Sequence, residues 1–189
     1  MPIKTKEQLH EYIRADLSVQ PKQCSLNILS TKNKIIKLKL HLRKCEYYFN
    51  NKNNFLKYIL YIYHKLLLHK ICSSFCSEIP INVFGKGLVI WHAERIIVNA
   101  NTKVGDFCSI SSGVVIAQAH NKCPIIGNNV ELMVDSKVLG GIYVADNVRI
   151  GANALVLKDI YDSNTTWAGI PAHKINNKGT VETPIPIDK

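Results

Sequence analysis

From about residue 79 onward, aliphatic residues return every six positions. Phe84 and Ile90 begin the ladder, and Val98, Val104, Ile110 and Ile116 continue it. Ile126, Leu132, Val138, Val144, Ile150 and Val156 complete it. Four positions after many of these rungs stands a second small or aliphatic residue: Cys108, Val114, Val130, Ser136, Ile142, Val148 and Ala154. Several rungs precede a small residue directly, as in Val104-Gly105, Ile126-Gly127 and Ile150-Gly151. A fixed repeat outranks local propensity as a fold signal. Each hexapeptide supplies one short strand and one turn, and three of them close a triangular coil. The aliphatic side chain points inward, and stacked coils bury a continuous column. The predicted fold is therefore mainly β, a left-handed parallel β-helix.

The ladder breaks twice. The step from Ile90 to Val98 is eight, an insertion of two around Trp91-His92-Ala93-Glu94-Arg95. The step from Ile116 to Ile126 is ten, an insertion of four around Gln118-Ala119-His120-Asn121-Lys122. A solenoid carries insertions as outward loops, usually on its working face. Both loops hold a histidine. Their separation, about one coil and a half, permits convergence on one subunit or across a subunit interface.

Residues 1–76 show a different pattern and read as a small helical region. Leu9 to Leu17 fits one helix, and residues 33–49 are a basic stretch with apolar residues at mixed spacing. Residues 54–71 are apolar on most faces. Such a helix packs against its neighbours or a sister subunit, or rests as a basic amphipathic helix on an anionic membrane. Asn50-Asn51-Lys52-Asn53-Asn54 reads as the loop between helices. The expected division is a helical region at 1–76, the β-helix at 77–175 and a tail at 176–189.

The 189 residues suit one domain with a small helper, and 47% hydrophobic content allows a true core. Twenty-four basic residues against 14 acidic ones give a net charge of +10, crowded into the first 70 positions. That surplus would draw nucleic acid, anionic lipid or a phosphate-rich small molecule. Nucleic acid is set aside, because no aromatic-plus-basic binding motif accompanies the charge. The six cysteines lack CxxC spacing, and the start, MPIKTKEQLHEY, lacks an apolar leader. Both features predict free thiols and a cytoplasmic location. The longest apolar run, residues 55–71, is interrupted by Lys57, His64, Lys65 and His69 and is short for a membrane span.

The stretch GKGLVIWHAERIIVNANTKVGDFCSISSGVVIAQ and the ending TTWAGIPAHKI resemble the hexapeptide-repeat O-acetyltransferases, in particular the serine acetyltransferase-like branch. That branch includes enzymes acting on capsule and O-antigen sugars. The match covers roughly residues 77–175. The resemblance implies a homotrimer with acetyl-CoA bound between neighbouring prisms, and His92 as general base. Imidazole titrates near neutrality, so it can accept a hydroxyl proton as the oxygen attacks a thioester. A backbone N–H of Ala117 or Gln118 would steady the developing oxyanion. Glu78 lies near the family's acidic residue and is the candidate to orient His92. Val134 and Ala152 fall where the family's backbone meets the pantetheine arm, Gly151 and Gly169 allow its close approach, and Lys174 is placed to meet a phosphate.

The resemblance also has departures. The family carries an Asp just before the catalytic histidine, where this chain has Trp91. Its second loop is longer and holds an Arg-His pair that grips the amino-acid substrate. Here Lys122-Cys123 stand in that place, and His120 is the candidate to take over. Met133 replaces a usual glycine. A tryptophan beside the base suits stacking on a sugar face, with Lys122 as a second acceptor contact. The expected function is acetyl transfer to a hydroxyl on a sugar of a surface polysaccharide or its precursor. Serine O-acetylation is the alternative. A zinc enzyme of the γ-carbonic anhydrase kind needs three histidines per metal. The repeat region offers only His92, His120 and His173, so no metal is expected. A non-catalytic binding trimer is the remaining class.

Overall fold

A computed structural model describes residues 2–20 and 31–180; Cys24 and the tail beyond 180 lie outside them. The ladder folds as the hexapeptide period requires. Ile97 pairs in parallel with Val115, eighteen residues on, which is three hexapeptides. Pairs that span an interruption are longer: Val89 meets Ser109 after twenty residues, and Lys103 meets Ile125 after twenty-two. Three parallel sheets form the faces of a left-handed prism. The first contains Val89–Ile90, Ser109–Ile110, Glu131–Leu132, Arg149–Ile150 and Thr166–Ala168. The second contains Ile97–Val98, Val115–Ala117, Lys137–Leu139 and Leu155–Val156. The third contains Lys103–Val104, Ile125–Ile126 and Tyr143–Val144.

All twelve rungs are buried, and Cys108 fills an inward position as its spacing predicts. Burial pushes the Cys108 thiol up to about 12, so it stays a protonated core group. The corners need left-handed backbone, and short polar residues supply much of it. Asp135 and Asn153 have φ of 56° and 57° on one edge, and Asn129 and Asn147 have 51° and 57° on another. On that other edge the coils are tied by side chains. Asp106 accepts from Lys86 N, Asn128 from Asp106 N, and Asp146 from Asn128 N. Gly105 and Gly127 sit under this ladder; a Cβ on Gly127 would fall 2.3 Å from Asp146.

Above Val156 the hexapeptide step shortens. Ile160 pairs with Val144 after sixteen residues, and Trp167 stacks on Ile150 after seventeen. The prism is then closed by an antiparallel strand, His173–Asn176, against Thr166–Ala168.

The helical region consists of α1 (Lys6–Ser18), α2 (Thr31–Asn50) and α3 (Phe55–Ser74). α1 starts three residues before the predicted Leu9, because Thr5 and Gln8 form a capping box. α3 begins after Asn54, whose side chain accepts from Lys57 N, so the predicted asparagine-rich loop is in place. α3 runs on to Ser74 rather than ending at 71.

The basic stretch of α2 is only partly solvated. Arg43 and Lys39 are buried. Arg43 pairs with Asp16 at 2.8 Å and Glu46 at 3.0 Å, and donates to the carbonyls of Phe84 and Gly85. Lys39 donates to Asp16 O and Gln20 Oε1. Gln20 in turn donates to Ile90 O, and Asp16 accepts from Leu88 N. The first strand has no coil beneath it, so its outer backbone groups would otherwise be orphaned. Helix side chains satisfy them. One continuous apolar core links Ile35, Leu38 and Leu42 of α2 to the rungs of the prism.

Candidate functional site

The first interruption forms a braced pedestal. After Ile90 the chain bulges outward and returns at Ile96. Trp91 Nε1 donates to Ser109 Oγ at 2.8 Å on the coil above. Ser77 Oγ donates to Ala93 O at 2.6 Å and accepts from Ile96 N at 2.9 Å. Arg95 takes a left-handed φ of 58°, and its N–H donates to Phe75 O. Glu94 O accepts from Gly113 N. His92 therefore stands in solvent between two residues whose positions are fixed, Trp91 by its indole and Ala93 by burial.

Glu78 is nearby in the fold but not joined to His92. Its backbone bridges to the second face, donating to Ile96 O and accepting from Val98 N. Its side chain is exposed, and among the described residues no hydrogen bond or ion pair connects it to His92. It lines instead a cavity of about 950 Å³ between α3 and the foot of the second face. Leu68, Cys72, Ile97 and Asn99 share that lining. Burial raises the Cys72 thiol there to about 11, which keeps it protonated and a poor nucleophile.

The other turns of the same edge rise coil by coil above His92. They hold Val134, then Gly151 and Ala152, then Gly169. Val134 and Ala152 are exposed, and among the described residues their backbone N–H groups have no acceptor. Gly151 and Gly169 serve the chain's own close packing. A Cβ on Gly151 would meet Ala168 Cβ at 3.0 Å, and one on Gly169 would meet the His173 ring at 2.9 Å. Gly169 also has a φ of 100°. Lys174 is paired with Asp162 at 2.8 Å on the surface.

The second interruption lies on a different edge, between the second and third faces. Ala119 and Lys122 form an antiparallel bridge around His120 and Asn121, whose φ values are 50° and 60°. This is a tight two-residue hairpin turn. The loop lies flat on the next coil, with Lys122 over Gly141, where a Cβ would be 2.4 Å from Lys122 Cβ. Asn99 anchors the base, donating to Gln118 Oε1 and accepting from Cys123 Sγ, both at 3.4 Å. The strand Val115–Ala117 runs across the face between the two loops. Within the chain, then, His92 and His120 occupy opposite margins of the second face and do not converge.

Sequence reasoning missed Ser77 and Ser109, which brace the pedestal. Nothing in their residue type marks them, and their partners lie sixteen and eighteen residues away.

Comparison with known proteins agrees with this architecture. Residues 123–158 match the family described as bacterial transferase hexapeptide (six repeats). A serine acetyltransferase of Synechococcus elongatus is 36% identical over 105 residues, covering 53% of this chain and 43% of that protein. The crystal structure of a serine acetyltransferase from Neisseria gonorrhoeae superposes with a TM-score of 0.70 at 20% identity, covering 95% of this chain and 68% of that one. A serine acetyltransferase in complex with CoA superposes with a TM-score of 0.65 at 22% identity, covering 90% and 71%. The chain spans about half the length of the curated relatives it matches. Its coiled half is a hexapeptide-repeat solenoid similar to that of the serine acetyltransferases.

Proposed function

We propose that this hexapeptide-repeat chain transfers an acetyl group from acetyl-CoA to an acceptor hydroxyl, with His92 as the base. The observation that carries the reading is the braced loop that holds an exposed histidine at the foot of an edge with free N–H groups. Acetyl-CoA supplies the activated acyl thioester. His92 takes the proton of the acceptor hydroxyl as its oxygen forms a bond to the acyl carbon. The carbon–sulfur bond breaks, and the leaving thiolate takes the proton back from the imidazolium.

The residues present fit such a ligand. The unpaired N–H groups of Val134 and Ala152 suit the carbonyls of a pantetheine arm lying along the edge. Gly151 and Gly169 add no side chain to obstruct it. Lys174 would exchange Asp162 for a phosphate. A homotrimer would set the hairpin edge of one prism against the His92 edge of the next. Gln118, His120 and Lys122 would then face His92 from the neighbouring subunit. Such an arrangement gives each interruption a role that a single prism does not.

The acceptor class best supported is the hydroxyl of serine, because the relatives with substantial identity are serine acetyltransferases. This reverses the order expected from the sequence, where a polysaccharide sugar came first. The sugar reading keeps two supports: Trp91 beside the base, 37% exposed, and the second loop reduced to a two-residue turn. A thiol-release assay with acetyl-CoA, serine and a panel of sugars separates them. Turnover with serine alone ends the sugar reading, and turnover with sugars alone ends the serine reading. No measurable acetyl-CoA binding by calorimetry would remove acetyl transfer altogether.

A further inference from the structure

α3 is apolar on two opposite sides. Tyr61, His64, Leu68 and Cys72 face inward and are buried. On the opposite side Phe55, Leu56, Ile59, Tyr63 and Leu66 stand in solvent, with Phe55 80% and Leu66 63% exposed. Single exposed apolar residues are ordinary, but a contiguous stripe over about three turns marks an interaction surface.

The helix that carries the stripe is basic, with no carboxylate of its own. α3 contains no Asp or Glu, carries Lys57, Lys65 and Lys70, and follows Lys52. α2 exposes Lys34 and Lys37, and its only carboxylate, Glu46, is buried against Arg43. Two copies of the chain meeting through this face would set lysine against lysine with no carboxylate on either helix. Charge therefore opposes a face-to-face pairing of two α3 helices and favours an anionic partner.

We propose that this face of α3 docks the protein on an anionic lipid surface. Acyl chains would receive Phe55, Leu56, Ile59 and Leu66. Tyr58 and Tyr63 are amphipathic residues suited to headgroup depth, and Lys70, exposed beside the stripe, would set its ammonium group at a lipid phosphate. Among the described residues no helix is long and apolar enough to cross a membrane, so the contact is peripheral. The inference does not depend on which hydroxyl is acetylated.

Flotation of the full chain with vesicles tests it. The protein should float with vesicles of equal parts phosphatidylcholine and phosphatidylglycerol, stay behind with phosphatidylcholine alone, and be released by added salt. The double variant Ile59→Glu, Leu66→Glu should bind about tenfold more weakly or worse. Its thermal midpoint should be unchanged, because both side chains are already exposed. Lys65→Glu with Lys70→Glu should remove the preference for phosphatidylglycerol. Equal binding to both vesicles, or full binding by the Ile59, Leu66 variant, overturns the proposal. It also fails if that variant lowers the wild-type mass in sedimentation velocity, which would make the face a contact between copies. Binding of soluble polyglutamate as tightly as the vesicles would mark an acidic protein partner and overturn it too.

Discussion

The hydroxyl of Ser77 reaches the carbonyl of Ala93 at 2.6 Å, one residue past His92. The same oxygen accepts from Ile96 N, so one side chain fixes both the exit and the return of the pedestal. Ser77→Ala removes both bonds. The expected cost is about 1–3 kcal/mol of stability from the lost buried bonds. Misplacing His92 should also lower kcat about tenfold or more while KM for acetyl-CoA holds. Unfolding curves and steady-state rates measure the two effects. A variant with reduced stability but unchanged kcat would confine Ser77 to a structural role.

His92→Ala should lower acetyl transfer by about 10²–10⁴-fold, the usual range for a positioned base. Acetyl-CoA binding measured by calorimetry should persist, because the edge turns at Val134 and Ala152 lie on other coils. Transfer near the wild-type rate would remove His92 from the chemistry.

Arg43→Leu should destabilise the protein by about 3–5 kcal/mol, because Asp16 and Glu46 would stay buried without their cation. The loss also frees the carbonyls of Phe84 and Gly85. Chemical denaturation reports the change. Replacing Arg43, Asp16 and Glu46 together with apolar residues should cost less than the single change.

His64 packs between α2 and α3, its Nδ1 2.9 Å from that of His41. Burial first, then the charges of His41 and Lys44, push its pKa down to about 4. Near pH 7 the folded chain leaves it neutral and the unfolded chain protonates it only in minor part. As pH falls below the unfolded value of about 6.5, only the unfolded chain takes up the proton, so stability drops. The loss continues to about pH 4, where the folded protein protonates too. His64→Phe should flatten this slope in urea titrations run at pH 7.5 and pH 5.

The prism was legible because an inward position in a hexapeptide coil tolerates little but aliphatic side chains, so Val98, Ile116 and Val138 announce their column. The two loops were legible as breaks in that rhythm. What period alone cannot convey is partnership across the fold. Arg43 and Asp16 are twenty-seven residues apart, and nothing in a basic stretch distinguishes a buried cation from a solvated one. The glycines suggested as room for a ligand, Gly151 and Gly169, are needed first by Ala168 and His173. The top coil escaped the pattern because Ile160 and Trp167 arrive early. Glu78 was expected to orient His92, yet its backbone bonds to Ile96 and Val98, and among the described residues no bond joins its carboxylate to His92.

Both ends of the prism are stoppered, below by Asp16, Gln20 and Arg43 and above by the His173–Asn176 strand. The number of coils between them is thus a fixed length. From the turn at His92 to the turn at Gly169 the edge climbs four coils, roughly 19 Å at the usual strand spacing. The solenoid works as a ruler. Removing one coil's worth of hexapeptides would leave both ends intact and shorten the span by about 5 Å. On the proposed function, an extended acyl donor anchored at the top would then no longer set its reacting end beside His92.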